Sequence, residues 1–327
     1  MSSTRFSDVD AHAWDDFAEQ CGGSLRSAYA HLRAFRLKAV LGRRLQLYEL
    51  HQGEGVRRRK IAQCAIVHTP GRKVFYDGLL LLPEHADLWA PAMAQMLCHL
   101  GGGDYDYGWA WSLETPREEQ LAAIEGVDVR DVRSFHVHGV DFSQWSDWES
   151  YYRDVRENCR RQARKAEERN PGMKLVFQPG LAAVLGLPGL TTTLRAMCAR
   201  KGIRFKPTWV LAAMFNILTS PGTLFVASVT HGRRVLATFQ GVEFGSKTYY
   251  LNGGSASEAN GAAWYMLLWL AERAFERHPK GKFMIGYADS PPIDPIAAKG
   301  LLHSRRGLRV SEWSTSRVGF HWTPPRH

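Results

Sequence analysis

Hydrophobic residues in the first part of the chain recur with two different periods. Short apolar or alternating runs predict strands, and longer runs with a spacing of three to four residues predict amphipathic helices. The pattern predicts helices over Trp14–Cys21, Tyr29–Leu41 and Leu88–Leu100, and strands over Leu45–Leu50, Ile61–Val67, Lys73–Asp77, Tyr105–Trp111 and Ser134–Val140. We therefore expect a sheet flanked by helices.

The second part of the chain opens with a long charged segment, Trp145–Arg169, that predicts one continuous helix ended by Asn170-Pro171-Gly172. The connector Pro179–Gly189 and a basic C-terminal hairpin complete this part. Further helices are predicted over Thr192–Arg200, Thr208–Thr219 and Ala262–Arg277, and strands over Lys174–Gln178, Leu224–His231, Val235–Phe244, Thr248–Asn252 and Phe283–Tyr287.

The two parts repeat one another in the order of their elements. A strand ending Phe75-Tyr76-Asp77-Gly78, a helix and the strand Tyr105-Asp106-Tyr107-Gly108 have a counterpart in Tyr249–Gly253, a helix and Phe283–Gly286. Repeated order and spacing indicate an internal duplication. We predict an α/β (α+β) protein of two domains, residues 1–143 and 144–327, each a mixed, mostly antiparallel sheet flanked by helices.

Composition adds the sign of the charge. In 327 residues, 45% are hydrophobic and 23% charged, which excludes wholesale disorder. The 42 Lys and Arg outnumber the 32 Asp and Glu, giving a net charge of +10. This surplus points to polyanionic partners such as nucleic acid, CoA phosphates or anionic lipid, without choosing among them.

Compartment and cofactor class follow from what the sequence lacks. No run reaches the roughly 20 apolar residues of a membrane span, and the acidic N-terminus does not resemble a signal peptide. No basic amphipathic helix with a broad apolar face is evident, which disfavours attachment to a membrane surface. Five scattered cysteines without metal-ligand spacing indicate reduced thiols in the cytoplasm and no metal site.

Arginines follow the predicted helix Trp145–Arg169 at helical spacing. Arg156, Arg160 and Arg164 recur at steps of four, with Lys165 beside them. Stacked guanidinium groups repel unless anions lie between them, so this ridge could track phosphates. The alternative is a solvated helix face paired by acids of the same helix. Two other basic clusters, Arg200-Lys201 and Arg305-Arg306, lie beside glycines as backbone-binding loops do.

The glycine-rich loop Asn252–Ala263 joins a predicted strand to a helix start. Free amides at such a start bind phosphate or a polarised carbonyl, and glycines allow close approach. Residues of this loop that we assign to donor binding are Gly253, Gly254, Ser255, Asn260 and Gly261. An ordinary capped turn would also explain them. Common nucleotide-binding, hydrolase and zinc-protease motifs are absent.

The helix Trp148–Glu167, the segment Arg195–Gly202 and the run Tyr249–Ser255 together resemble the FemAB-like and BioF2 (CelD)-like branch of the GNAT N-acyltransferases. The resemblance covers Trp145 to about Arg309 and implies tandem GNAT-like domains. It also implies transfer of an acyl or aminoacyl group to an amine, with formation of an amide. FemAB members take the group from aminoacyl-tRNA, and other GNAT enzymes take it from CoA.

One departure from the GNAT sequence pattern bears on the choice between CoA and aminoacyl-tRNA as the donor. The pyrophosphate loop of GNAT enzymes opens on Arg or Gln, and this chain has Glu258 in the same register. A carboxylate beside a pyrophosphate is repulsive, which weakens the CoA interpretation, while the positive net charge favours tRNA. We therefore expect no cofactor but aminoacyl-tRNA as co-substrate, with acyl-CoA or an acyl carrier protein as the alternative. A catalytically inactive RNA-binding scaffold is a third possibility.

The acceptor is expected to be an amine-type nucleophile, either a small biosynthetic molecule or a peptide. Tyr250 and Asn252 at a strand end, with Asp289 as proton acceptor, are the expected catalytic residues. The residues assigned to tRNA or donor phosphates are Arg156, Arg160, Arg164, Lys165, Arg200, Lys201, Arg305 and Arg306.

Overall fold

Two strand–helix–strand crossovers organise the chain, one in each of two structural units. The computed structural model describes residues 2–4, 8–38, 43–53, 59–113, 117–220, 222–290, 302–303 and 305–325. The first unit comprises Met1–Val137, Tyr287–Ile293 and Trp313–His327, and the second comprises His138–Gly286 and Asp294–Glu312.

Both units contain strands and helices. The strands are β1 (Ser2–Thr4), β2 (Arg44–Gln52), β3 (Arg59–Thr69), β4 (Arg72–Phe75), β5 (Leu80–Leu81), β6 (Gly103–Tyr107), β7 (Val127–Asp141), β8 (Lys174–Pro179), β9 (Leu224–His231), β10 (Arg234–Phe244), β11 (Lys247–Ser255), β12 (Lys282–Ser290) and β13 (Ser311–Trp322). The helices are α1 (Ala11–Gln20), α2 (Tyr29–Lys38), α3 (Trp89–Leu100), α4 (Glu118–Ala122), α5 (Trp148–Asp154), α6 (Glu157–Arg169), α7 (Leu187–Arg200), α8 (Thr208–Thr219) and α9 (Ala262–Arg277). Short 3₁₀ helices cover Pro83–Leu88, Phe142–Gln144 and Gly180–Gly186.

The same strand topology occurs in each unit. In the first, β2, β3 and β4 form an antiparallel meander, and α3 then crosses over so that β6 pairs parallel to β4. In the second, β9, β10 and β11 form the meander, and α9 crosses over to β12, which pairs parallel to β11. The repeat predicted from the sequence is therefore present in the connectivity, and the fold is mixed α/β with mostly antiparallel pairing.

The unit boundaries differ from the predicted division after Ser143. Most of β13 belongs to the first unit, because its residues Val318–Trp322 pair antiparallel with β6. The segment Tyr287–Ile293 belongs there as well. The C-terminal end is one strand and not the predicted hairpin, and the predicted connector Pro179–Gly189 is largely helical.

The predicted helix Trp145–Arg169 is broken in the structure. Val155 and Arg156 have extended backbone angles, with ψ of 136° and 134°, and separate α5 from α6. The amide of Arg156 donates 3.0 Å to the carbonyl oxygen of Gly307 instead of continuing the helix. Burial of Tyr151, Val155 and Cys159 holds both helices on the same core despite the break.

The core of the second unit lies between its sheet and helices α5, α6 and α9. Phe225 and Phe239 stack with centroids 5.8 Å apart, and Phe239 stacks on Phe283 at 5.9 Å. Helix α7 covers the other face, where the hydroxyls of Thr193 and Thr238 are hydrogen-bonded. The sheet is therefore covered on both faces, and its open positions lie at strand ends and between strands.

One helical stretch, Gly180–Arg200, is long and apolar enough to meet the length and composition of a membrane span. This corrects the expectation that no such run exists. Leu190, Leu194 and Cys198 of this stretch are buried against the sheet, and 44% of the qualifying window is buried inside the fold. Its apolar character is thus largely explained by packing.

Glycine at position 261 is required where α9 begins. Gly261 has φ +97°, and a Cβ there would overlap the carbonyl oxygen of Gln162 in α6. We predict that Gly261→Ala lowers the free energy of unfolding by about 3 kcal/mol or more, since it adds overlap to backbone strain. Chemical denaturation measures this change.

The matched control is Gly202→Ala. Gly202 also has positive φ, +63°, but a Cβ there meets no atom within 4 Å. It should cost only about 1 kcal/mol of strain. Equal losses for the two variants would show that the α6–α9 contact does not require glycine.

Candidate functional site

Strands β11 and β12 separate soon after they meet. Their parallel pairing runs from Lys247 opposite Lys282 to Tyr249 opposite Met284 and, among the described residues, goes no further. Both strands nevertheless continue, β11 to Ser255 and β12 to Ser290. Backbone groups between the separated ends are therefore available to a ligand.

A bulge in β11 accompanies this separation. Tyr250 pairs with Gly241 of β10, and Asn252 pairs with Gln240, so Leu251 is the extra residue. A bulge bends its strand and increases the local twist. Helix α9 then carries the chain from the bent end of β11 to the start of β12.

A cavity of about 330 Å³ lies beside the bent end of β11, within the second unit. Its walls are mostly apolar, and among the described residues that line it the charged ones are the cations Arg200, Lys201 and Arg305. The other lining residues are Met197, Thr238, Phe239, Tyr250, Gly253, Gly254, Ser255, Ala263, Trp264, Met266, Leu267, Ile285 and Leu308. This lining suits an uncharged chain attached to an anionic carrier.

Arg305 contributes a half-buried cation to the cavity. Its Nη1 donates 2.8 Å to Nδ1 of His138, and its guanidinium occupies the space that a side chain at Gly286 would fill. Gly286 has φ +140°, which favours glycine as well. Burial lowers the pKa of Arg305 to about 10, so the group remains charged at neutral pH.

His138 connects Arg305 to a carboxylate. Its Nε2 lies 3.0 Å from Oε2 of Glu312, and its ring is buried. Arg305 can only donate, so Nδ1 of His138 accepts, and the protonated Nε2 donates to Oε2 of Glu312. In the sequence, His136 and His138 are two histidines at alternate positions of the predicted strand Ser134–Val140, and nothing there distinguishes His138. Neither Glu312 nor Gly286 carries a motif that could have identified this arrangement.

Tyr250 also lines the cavity. The centroid of its ring lies 4.7 Å from that of Phe239. Burial raises the pKa of the Tyr250 hydroxyl to about 12 despite the nearby Arg305. The hydroxyl therefore stays protonated at neutral pH and can donate a hydrogen bond. Tyr250 can therefore act as a hydrogen-bond donor to a developing negative charge, and it is not suited to act as a general base.

Asn252 lies in the adjacent part of β11 but is not among the lining residues. Its Nδ2 donates 3.1 Å to Oε1 of Gln240, which is fully buried. Gly254 is confined for a structural reason, because a Cβ there would meet the Thr193 carbonyl of α7 at close range. Gly253 likewise leaves room for the ring of Tyr250.

Asp289, the predicted proton acceptor, is not brought to this cavity. It lies in the segment of β12 that belongs to the first unit. Its carboxylate pairs with Arg133 of the same unit. Among the predicted catalytic residues, only Tyr250 lines the cavity.

The predicted donor loop divides into two parts. Gly253, Gly254 and Ser255 lie within β11 and pair with β10, so they are strand residues and not a free loop. Arg200 clamps the end of this strand, since its Nη1 and Nη2 donate 2.7 Å and 3.1 Å to the carbonyl and hydroxyl oxygens of Ser255. Asn260 and Gly261 precede α9 and do not line the cavity.

The basic residues of the broken helix pair mostly within it. Arg160 and Arg164 both bind Glu157, at 2.9 Å and 2.7 Å. This favours the solvated-face interpretation for these two residues. Of the eight predicted phosphate-binding residues, Arg200, Lys201 and Arg305 line the cavity, while Arg156, Arg160, Arg164, Lys165 and Arg306 do not.

Comparison with known proteins gives a family for part of the chain. Residues 153–288 match the family described as an acetyltransferase (GNAT) domain. This region contains β11, α9 and most of the lining residues of the cavity. No curated protein matches the sequence.

Solved structures share the fold across almost the whole chain. FemX is 11% identical, with 97% of both chains covered and a TM-score of 0.70. L-PGS from Bacillus licheniformis is 12% identical, with 94% of this chain and 91% of that one covered and a TM-score of 0.55. The C-terminal domain of a protein described as a lysylphosphatidylglycerol synthetase from Agrobacterium fabrum is 10% identical, with 95% and 92% covered and a TM-score of 0.51.

The acceptor role of His138 can be tested by replacing the ring. His138→Phe removes the acceptor of a half-buried guanidinium and should lower the free energy of unfolding by about 1–3 kcal/mol. His138→Asn places a carbonyl oxygen near the position of Nδ1 and should recover part of that loss. Denaturant unfolding of both variants makes the comparison, and an asparagine variant no more stable than the phenylalanine variant would contradict it.

Proposed function

Residues 153–288 match a GNAT acetyltransferase domain and the chain shares the fold of FemX, and from this premise we propose that the chain is an acyltransferase that transfers an aminoacyl group from aminoacyl-tRNA to an amine acceptor. The observation that carries the proposal is the cavity at the separation of β11 from β12, which combines an apolar wall with three cations. An apolar wall suits the transferred group, and the cations suit the phosphates of its carrier.

Position and charge would supply most of the catalysis. The ester that links an aminoacyl group to the ribose of tRNA is already activated, so no covalent enzyme intermediate is needed. The amine nitrogen attacks the carbonyl carbon, and the bond to the ribose oxygen breaks. Since Asp289 does not line the cavity, the amine proton would pass to the departing ribose oxygen of the donor itself.

Arg305 and Tyr250 would stabilise the carbonyl oxygen as it becomes negative. Both line the cavity, and both can donate hydrogen bonds at neutral pH because the pKa of Tyr250, about 12, and that of Arg305, about 10, lie well above it. Arg200 and Lys201 would bind donor phosphate at the end of α7. Five other basic residues do not line the cavity, and their binding of tRNA remains a prediction from the sequence. They are Arg156, Arg160, Arg164, Lys165 and Arg306.

Acyl-CoA is the second candidate donor, and the match to an acetyltransferase (GNAT) domain favours it. The loop before α9 is the place where this family binds the CoA pyrophosphate. In this chain the loop carries the exposed Glu258. The repulsion between this carboxylate and a pyrophosphate is the reason to place tRNA first.

The donor is tested by incubating the protein with charged tRNA and a panel of small amines and peptides. We expect an amide product by mass spectrometry that is lost when the charged tRNA is first treated with ribonuclease. An amide formed only from acyl-CoA, or one that survives ribonuclease, would contradict the tRNA donor. The absence of product with every donor would contradict transfer itself.

Arg305 should matter more than a surface arginine of the same unit. Arg305→Gln keeps a hydrogen-bond donor but removes the charge, and we expect kcat to fall by about 100-fold. The control Arg233→Gln changes an exposed residue at the β9–β10 turn and should leave kcat within about twofold. Similar losses in both variants would show that net charge, and not the cavity, governs the rate.

A further inference from the structure

Helix α8 presents an apolar face that nothing in the described structure covers. The helix contains no charged residue, and Leu211, Met214 and Leu218 recur at steps of three and four on one side. Their exposed fractions are 58%, 39% and 56%. Ala213 and Ile217, on the opposite side, are buried. One side of the helix is therefore buried, and the side exposed to solvent carries leucine and methionine.

The neighbouring 3₁₀ helix, Gly180–Gly186, extends this face. Leu181 and Leu185 are 58% and 74% exposed, and the segment packs against α8. Ile203, in the loop before α8, is also exposed. Large apolar side chains grouped on neighbouring elements of a surface mark an interaction site, whereas isolated ones are normal.

The stretch of sequence that carries this face contains charges of one sign only. No acidic residue occurs between Glu168 and Glu243, a stretch that includes all of these elements. The same stretch holds nine basic residues, which account for nearly the whole net charge of +10. These residues are Arg169, Lys174, Arg195, Arg200, Lys201, Arg204, Lys206, Arg233 and Arg234.

Three cations of this stretch lie in the loop between α7 and α8, directly before the apolar helix in sequence. Lys201, Arg204 and Lys206 are exposed there, and Phe205 and Trp209 are half-buried beside them. The Phe205 ring packs against both Trp209 and the guanidinium of Arg195. Basic residues next to aromatic and aliphatic ones are the combination that binds the headgroups and the upper acyl region of an anionic bilayer.

Other occupants fit this combination less well. RNA would engage the cations and the aromatic rings but has no use for exposed leucines. A second copy of the chain, docked by the same face about a two-fold axis, would bring the two basic loops together and repel. We propose that the face formed by α8, the Gly180–Gly186 segment and the intervening loop docks the protein on an anionic lipid surface.

This docking face reaches the candidate site. Arg200 and Lys201 close α7, begin the basic loop, and also line the cavity. A bilayer held against the loop would therefore lie next to the cationic rim of the cavity. The inference stands on the surface itself and does not depend on which donor the cavity takes.

Vesicle flotation of the full chain tests the proposal without any activity assay. The protein should float with vesicles that contain phosphatidylglycerol and remain behind with pure phosphatidylcholine. The double variant Leu211→Ser/Leu218→Ser should bind at least about tenfold more weakly. The double variant Arg204→Gln/Lys206→Gln should lose about fivefold for each charge at low salt, and less at high salt.

Matched controls distinguish binding through this face from non-specific binding to vesicles. Leu37→Ser replaces a leucine that is 53% exposed in the first unit, and Arg33→Gln removes an exposed charge from α2 of the same unit. Both should float as the wild type does, and circular dichroism should show every variant folded. An equal loss in the controls would overturn the proposal.

Two further results would overturn it in favour of another partner. One is a wild type that does not float but binds tRNA through Arg204 and Lys206. The other is a wild type that does not float and forms dimers that the leucine variants convert to monomers.

Discussion

The parallel pairing between β11 and β12 lasts for three residue pairs and then ends, and the site depends on that limit. A continued pairing would satisfy the backbone of Tyr250–Ser255 along its second edge and fill the space of the cavity. The bulge at Leu251 and the crossover through α9 keep the strands apart. Gly261 allows α9 to begin directly against α6, so helix packing and strand separation are parts of one arrangement.

Three cations of the second unit, Arg200, Lys201 and Arg305, line this opening. Arg305 is held in place by the acceptor His138 and by the empty position at Gly286, and Arg200 is held by the end of β11. In contrast, Arg160 and Arg164 share Glu157 on the outer side of α6. Arginines at regular helical spacing are therefore less informative here than single arginines fixed by neighbouring elements. The same basic region continues into the loop before α8, beside an apolar face.

Sequence reasoning predicted the elements better than the contacts. The period of apolar residues located α9 and strands β9 to β11 to within a few residues, and the repeated order indicated a topology that both units share. It missed the break at Val155, because the hydrogen bond there joins Arg156 to Gly307, which lies 151 residues further along the chain, and such a contact leaves no local signal in the sequence. For the same reason it could not connect His138 with Glu312, or place Asp289 beside Arg133. It also missed the exposed face of α8, since an apolar run does not reveal which side is covered.

The central claim is that the separation of β11 from β12 holds the acyl end of a phosphate-bearing donor. A crystal structure with a non-hydrolysable aminoacyl-adenosine amide tests it most directly. The account predicts the aminoacyl group in the cavity, with its carbonyl oxygen within hydrogen-bonding distance of Tyr250 or Arg305. A ligand bound elsewhere, while the cavity remains occupied by the side chains of the protein alone, would contradict it.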